Sequence, residues 1–354
     1  MVGSSPRRRG SWLRTAGVVI AYLLLVGVIA AGIGWWLVFG ASGDAAPGEP
    51  VQVEIASGAS TKQIAETLAA AGVIGNANRF RLESRLADAD GTLRAGVYDL
   101  ATGMPYDLVI EKLQAGPPIS YVSITIPEGF TVDQVAARVE KVIGIPADEF
   151  LALAKGGAEQ FADSHPNVEG AFEGSLEGYL FPKTYRVKEG ATAEDVIEMM
   201  LSQFDKEFEQ VDVEAGKARG LSIPEIVTLA SMIERETKVA KERPLVSSVI
   251  YNRLKRDMRL EIDATIEYVL PGNRLRLKNS HLRIDSPYNT YRNKGLPPGP
   301  IANPGLASLK AAVAPAKTDY IYYVLTGKDG SHTFATNQDD FLRAKRKSKE
   351  VFGK

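Results

Sequence analysis

The sequence predicts an α+β protein carried behind one N-terminal apolar helix. Three observations support this. A long uncharged stretch follows a cluster of arginines. Two strand–turn–helix patterns then recur at fixed offsets, and the C-terminal third turns to helical periodicity with one late hairpin.

Arg7, Arg8, Arg9 and Arg14 precede residues 15–43, which carry no charge. The apolar run AGVVIAYLLLVGVIAAGIGWWLVF is long enough, at ~1.5 Å per residue, to cross a ~30 Å hydrocarbon layer as a helix. Trp12, Trp35 and Trp36 stand near its ends, where indoles favour the interface. The arginines place residues 1–14 as a cytoplasmic tail and 15–40 as a single transmembrane helix, with the remainder outside the cytoplasmic membrane. The alternative is a cleaved signal peptide, whose apolar region is usually shorter. ASGDAAPGEP, residues 41–50, reads as a linker.

VQVEIASGASTKQIAETL from Val51 aligns with VSITIPEGFTVDQVAARV from Val122 at a constant offset of 71 residues. GVYDLATGMPYDLVIEKL from Gly96 aligns with TYRVKEGATAEDVIEMML from Thr184 at an offset of 87, so the second copy carries an insertion. Each unit begins with alternating apolar residues, turns at a glycine and continues with Ser or Thr before a helical pattern. Residues 51–120 and 121–220 are therefore expected to be two related αβ modules.

From residue 221 the texture changes. LSIPEIVTLASMIERETKVA and ERPLVSSVIYNRLKRDM read as helices, and LEIDATIEYVL follows. SPYNTYRNKGLPPGPIANPG is a long Pro/Gly/Asn-rich connection, of the kind that tends to be functional. YIYYVLTG and SHTFATN, separated by KDG, suggest a hairpin. The last segment, QDDFLRAKRKSKEVFGK, reads as a helix with a basic, solvated end. Residues 221–354 form the expected catalytic region.

Composition narrows the chemistry. The chain has no cysteine, which excludes disulfides, thiolate nucleophiles and Cys-ligated metals. His165, His281 and His332 are not spaced as metal ligands. No cofactor or metal is expected, and a net charge of −1 gives no bias toward nucleic acid. No phosphate loop, dinucleotide glycine pattern or G-x-S-x-G elbow is present.

The candidate site residues fall in four segments. In the helix after Ser222, whose Glu225 completes a capping box, Glu234 lies roughly 60–70° from the centre of the apolar face on a helical wheel. That position predicts desolvation, a raised pKa and a proton to donate. LEGYLFPKTY, residues 176–185, sets Glu177 beside Tyr179, an arrangement that suits sugar stacking and suits a core turn equally well. Asp263 and Thr265 follow Leu260–Glu261–Ile262. Tyr288, Asn289, Thr290 and Tyr291 offer neutral donors and acceptors for hydroxyls and acetamides.

Together these segments resemble the YceG-like family of endolytic murein transglycosylases. The resemblance is carried by ITIPEGFT, LEGYLFPKTY, LASMIERET, SPYNTYRNKGLPPGPIANPG and APAKTDYIYYV, from about Val51 to the final helix. It implies a membrane helix, a LysM-like module and a catalytic domain outside the membrane. The catalytic glutamate, first in an (I/V)-E-(K/R)-E-T motif, falls on Glu234. The implied reaction cleaves the β-1,4 bond between N-acetylmuramic acid and N-acetylglucosamine and leaves 1,6-anhydromuramic acid ends. Action on nascent peptidoglycan strands, near penicillin-binding synthases, is also implied. A water-using muramidase and a catalytically silent glycan-binding scaffold are the alternatives. The chain departs from the pattern at Ala264, where relatives often carry proline, and at Ala314, where relatives carry histidine.

Overall fold

The structure is a computed structural model that describes residues 11–39, 48–118, 120–270 and 277–353. The arginines at 7–9 and the linker residues 41–47 lie outside the described residues, as do the side chains of Arg14, Trp12 and Trp36.

The chain divides into two compact units, residues 1–119 and 120–354. The first unit begins with α1 (Ser11–Phe39). Its segment Ala16–Trp35 is, among the described residues, the one helical span long and apolar enough to cross a membrane. Val18, Leu24 and Ile33 are all more than half exposed. A helix apolar on every face yet exposed is unsuited to water.

The same unit continues with β1 (Pro50–Ile55), α2 (Thr61–Ala70), α3 (Ala77–Leu86), β2 (Gly96–Ala101) and α4 (Tyr106–Ala115). β1 and β2 pair antiparallel, with Val53 opposite Tyr98. The period-2 apolar set Val53, Ile55, Tyr98 and Leu100 faces Ile64, Leu68, Phe80, Val109 and Leu113 from the helices, and all are buried.

The second unit opens on the same order: β3 (Tyr121–Thr125), α5 (Val132–Ile143), α6 (Ala147–Ala154), the single turn α7 (Ala158–Phe161), β4 (Thr184–Lys188) and α8 (Ala193–Phe208). The likeness extends to detail. Ile124 pairs with Tyr185 as Val53 pairs with Tyr98. Ser60–Gln63 and Thr131–Gln134 form matching capping boxes. Gly58 and Gly129 both take left-handed φ, +76° and +77°. Tyr98 and Tyr185 each donate a hydroxyl to the carbonyl four residues back, Arg94 and Phe181. The extra length of the second copy falls between α6 and β4 and contains LEGYLFP.

Beyond these come α9 (Val213–Lys217), α10 (Ile223–Glu236), α11 (Arg243–Lys255), α12 (Asp263–Val269), α13 (Leu306–Val313), the antiparallel hairpin of β5 (Tyr322–Leu325) and β6 (His332–Ala335), and α14 (Gln338–Phe352). One hydrophobic core runs from Ile124 of β3 to Val313 of α13. α10 is its axis. Ile226 through Ile233 are all buried, the polar Thr228 and Ser231 included. Thr228 and Ser231 solve their burial locally, donating to the carbonyls of Pro224 and Thr228. The wheel had given this helix one apolar face. It is instead enclosed on all sides, and it stops sooner than expected: Thr237 turns extended, and TKVA lies beyond the helix.

Candidate active site

Glu234 lies in the last turn of α10, where the helix leaves the core. Its side chain is only 6% exposed. The surroundings of its carboxylate are polar, not the apolar flank the wheel suggested. Oε1 accepts from Nη2 of Arg243 at 3.2 Å. Oε2 accepts from the Gly305 N–H at 3.1 Å and from the Ser308 hydroxyl at 2.8 Å. Arg243 Nε donates to the same hydroxyl at 3.0 Å, which closes a ring of contacts. Gly305 and Ser308 are the N-cap and third residue of α13, so Glu234 supplies the carboxylate that a capping box would otherwise draw from α13 itself.

A second glutamate reaches this ring. Glu128 lies in the turn between β3 and α5, with Oε2 3.7 Å from Arg243 Nη2 and its side chain 52% exposed. Burial raises its pKa, the negative charge of Glu234 raises it further, and Arg243 opposes both. Gly129 follows with φ +77°, and its N–H donates to the Asn303 carbonyl at 2.9 Å. The Asn303 N–H donates back to Phe130 at 2.8 Å. This two-way pairing holds the turn beside the start of α13. A Cβ on Gly305 would fall 1.8 Å from Glu128 Oε1, so the glycine is what lets the carboxylate in.

Asn303 leads to a third carboxylate. Its Oδ1 accepts from the N–H groups of Gly178 and Leu180. Its Nδ2 approaches Oε1 of Glu177, which is 4% exposed and accepts from the Val132 N–H at the start of α5. Burial pushes the Glu177 carboxyl up to about 8, against the lowering effect of the Val132 N–H. The Tyr268 hydroxyl bonds to Glu177, and its ring lies 5.0 Å from that of Tyr288. Tyr288 also meets the edge of Phe172. Tyr179, two residues from Glu177, points the other way. Its ring is wholly buried against Phe204.

The remaining candidates separate into surface and frame. Asp263 is exposed and accepts from the Tyr291 hydroxyl at 2.5 Å. Thr265 and Thr290 are buried with hydroxyls 3.0 Å apart, and Thr290 Oγ1 also accepts from the Ile262 N–H. Asn289 is buried and donates to the carbonyls of Leu282 and Ile284. These three amides and hydroxyls are spent on the loop backbone. Glu261 takes left-handed φ (+51°) and pairs with Arg253 at 3.1 Å. Ala264 gives its N–H to Glu236, a bond that proline at this position would lack. Burial pushes Glu236 up to about 7, and the Tyr323 hydroxyl bonds it at 3.0 Å.

Four residues that build the site had no signal of their own in the sequence. Arg243, Ser308, Asn303 and Tyr268 sit 9, 74, 126 and 91 positions from their glutamate partners. Glu128 stood inside ITIPEGFT without a periodic or charge pattern to mark it. Among the described residues, no group of three or more His, Asp or Glu side chains is gathered as a metal site would need.

Comparison with known proteins gives a consistent result. The model of the YceG-like family matches residues 53–347. A Bacillus subtilis (strain 168) protein named endolytic murein transglycosylase is 37% identical over 309 residues, covering 84% of each chain. A protein of the same name from Streptococcus pneumoniae (strain ATCC BAA-255 / R6) is 31% identical over 354 residues, covering 92% of this chain and 64% of that relative. The crystal structure of a yceG-like protein from Listeria monocytogenes superposes with a TM-score of 0.58 at 32% identity, covering 84% of this chain and 99% of that one.

Proposed function

The chain belongs to the YceG-like family, and from that premise we propose that it is a lytic transglycosylase of peptidoglycan with Glu234 as its acid/base. The observation that carries the reading is the cradle of Glu234. Both carboxylate oxygens are fixed by Arg243, Gly305 and Ser308 at the end of a rigid, buried helix. A general acid needs this kind of restraint, because proton transfer depends on geometry within hydrogen-bond reach.

The substrate is the β-1,4 bond between N-acetylmuramic acid and N-acetylglucosamine. Glu234 gives its proton to the glycosidic oxygen as the bond breaks. Positive charge develops at the muramyl C1, and the ionised carboxylate opposes it. The sugar's own C6 hydroxyl then attacks C1 and returns its proton to Glu234. The atoms balance without water, and the new end is a 1,6-anhydro ring. Most glycosidases divide these duties between two carboxyl groups; here one serves in sequence.

A hydrolytic reading has one observation in its favour. Glu128 stands on the same arginine as Glu234, as a second carboxylate would in a muramidase. Product mass separates the two, since an anhydro end is lighter by one water.

Of the side chains lining the region, Asp263, Tyr288 and Tyr291 are assigned to the glycan. Thr265, Asn289, Thr290 and Tyr179 are assigned to the frame that holds them, and Glu177 to the support of the Glu128 turn. The matched strand pairing and capping boxes favour an internal duplication. The strand–helix–helix–strand order of residues 50–101 is the basis for a LysM-like reading of the first unit. α1 acts as an uncleaved anchor with its N-terminus in the cytoplasm, so the catalytic unit meets nascent strands outside the membrane, beside the synthases that extend them.

The test is incubation of the detergent-solubilised chain with purified peptidoglycan, with mass spectrometry of the products and Glu234→Gln in parallel. Anhydromuramyl ends from the parent and a loss of at least about 1000-fold in the variant are expected. Hydrated reducing ends from the parent would make it a hydrolase.

A further inference from the structure

Glu234 and Glu128 both reach Arg243 Nη2, at 3.2 and 3.7 Å. The nearest oxygens of the two carboxylates are therefore no more than about 7 Å apart, with Glu234 enclosed and Glu128 half-exposed. We propose that Glu128 is a positioning residue of this site: by sharing the Arg243 guanidinium with Glu234, it makes the carboxylate pair retain the proton that bond cleavage requires. This inference rests on the transglycosylase reading above and concerns how its acid is loaded.

The argument is one of charge count. Three donors reach Glu234, from Arg243, Gly305 and Ser308, and each stabilises an anion. One arginine balances one carboxylate. With Glu128 also ionised, two negative charges face one positive charge. Taking up one proton relieves the excess, and the two groups titrate as a unit.

The neighbouring charges leave that count intact. From α10 itself, Arg235 is engaged by the Gly129 carbonyl and by Glu267 of α12. From α13, the groups that face Glu234 are the uncharged Ser308 and the Gly305 N–H. On α9, Lys217 is paired with Glu214. Glu242, beside Arg243, is bonded by the His332 ring and N–H. On α12, Asp263 is bonded by Tyr291. The raised pKa of Glu128, with Glu234 among its causes, agrees. The half-exposed position of Glu128 also gives the pair a route to exchange its proton with solvent.

The geometry that holds Glu128 in place is specific. Gly305 offers the space, and the reciprocal bonds of Gly129 and Phe130 with Asn303 fix the turn. Asn303 in turn is tied to the peptide after Glu177.

The experiment measures kcat for release of anhydro ends by the full chain in detergent, across about pH 4 to 9, for the parent and Glu128→Gln. Removing the second charge should move the alkaline limb of the profile down by about one to two pH units, a loss of roughly 10–100-fold at neutral pH that recovers on acidification. KM should change little. A loss of the same factor at every pH would overturn the proposal, because it would mean that Glu128 only shapes the turn or contacts the glycan. An unchanged profile would overturn it as well. Carboxyl-carbon NMR of glutamate-labelled protein reads the coupling without turnover: the resonance lost in Glu128→Gln should titrate lower in Glu234→Gln. If the parent released hydrated ends or nothing, the transglycosylase reading would fail while this titration still decided the coupling.

Discussion

Ser308 donates to Glu234 Oε2 at 2.8 Å and accepts from Arg243 Nε at 3.0 Å, so one hydroxyl aligns both charged groups. A hydrogen bond to a charged group is worth about 1.5–3 kcal/mol. Ser308→Ala should therefore lower kcat by roughly 10–100-fold with little change in KM, because the bond restrains the acid and does not touch the glycan. Steady-state kinetics on purified glycan strands would check this, and an equal rise in KM would point to direct substrate contact. Glu234 was a candidate from sequence because a carboxylate at the border of an apolar helical stripe is visible in local periodicity, although the helix is in fact enclosed and the carboxylate meets polar groups. Its cradle was not visible there, since Arg243 opens a different helix and Ser308 lies 74 positions away. Asn289 and Thr290 illustrate the opposite problem. Their side-chain chemistry suits sugars, but the same amide and hydroxyl also satisfy buried backbone, and only burial distinguishes the two uses.

At the level of elements, strands and capped helices were the legible part. Alternation marked β1 and β3, a glycine turn and a Ser or Thr marked the starts of α2 and α5, the Ser222–x–x–Glu225 pattern marked that of α10, and the KDG turn marked the last hairpin. Enclosure was not legible. A wheel counts only the residues of its own helix, and α10 is covered by the following helix α11 and, from distant sequence, by α13 and the loop around Gly178. Gly178 measures how tight that cover is. Its φ is +92°, and a Cβ would lie 2.7 Å from Pro300 Cβ and from Val227 Cγ1. Neither neighbour is a flexible chain end, so Gly178→Ala combines backbone strain with overpacking. It should destabilise the second unit by about 2–4 kcal/mol. A comparison of thermal unfolding of the two full chains would show it. An unchanged midpoint would mean that the loop carrying Pro300 yields freely.

For the molecule as a whole, the buried titratable groups set a direction for stability against pH. His165 is clamped between two carboxylates, with Nδ1 2.5 Å from Asp205 and Nε2 2.8 Å from Glu198, both on α8. Burial is the largest single influence on its ring and acts to lower the pKa, but the two carboxylates together outweigh it and the net shift is upward from 6.5. Below 6.5 the ring is charged in both folded and unfolded chains, and the clamp contributes fully. As pH rises from there through the raised folded value, the folded chain holds a proton that the unfolded chain has released, and the contribution is lost. Glu177 and Glu236 act in the same direction at their own positions. Each is pushed up from 4.5, to about 8 and about 7, so the folded state retains protons that the unfolded state sheds above 4.5. Three groups in separate parts of the second unit thus favour the acidic side. Thermal midpoints of the full chain should fall between about pH 6 and pH 8, and His165→Gln, neutral throughout, should flatten part of that slope while lowering the midpoint most at the acidic end. A variant whose midpoint tracked the parent at a constant interval would show that the ring brings no extra proton to the folded cluster.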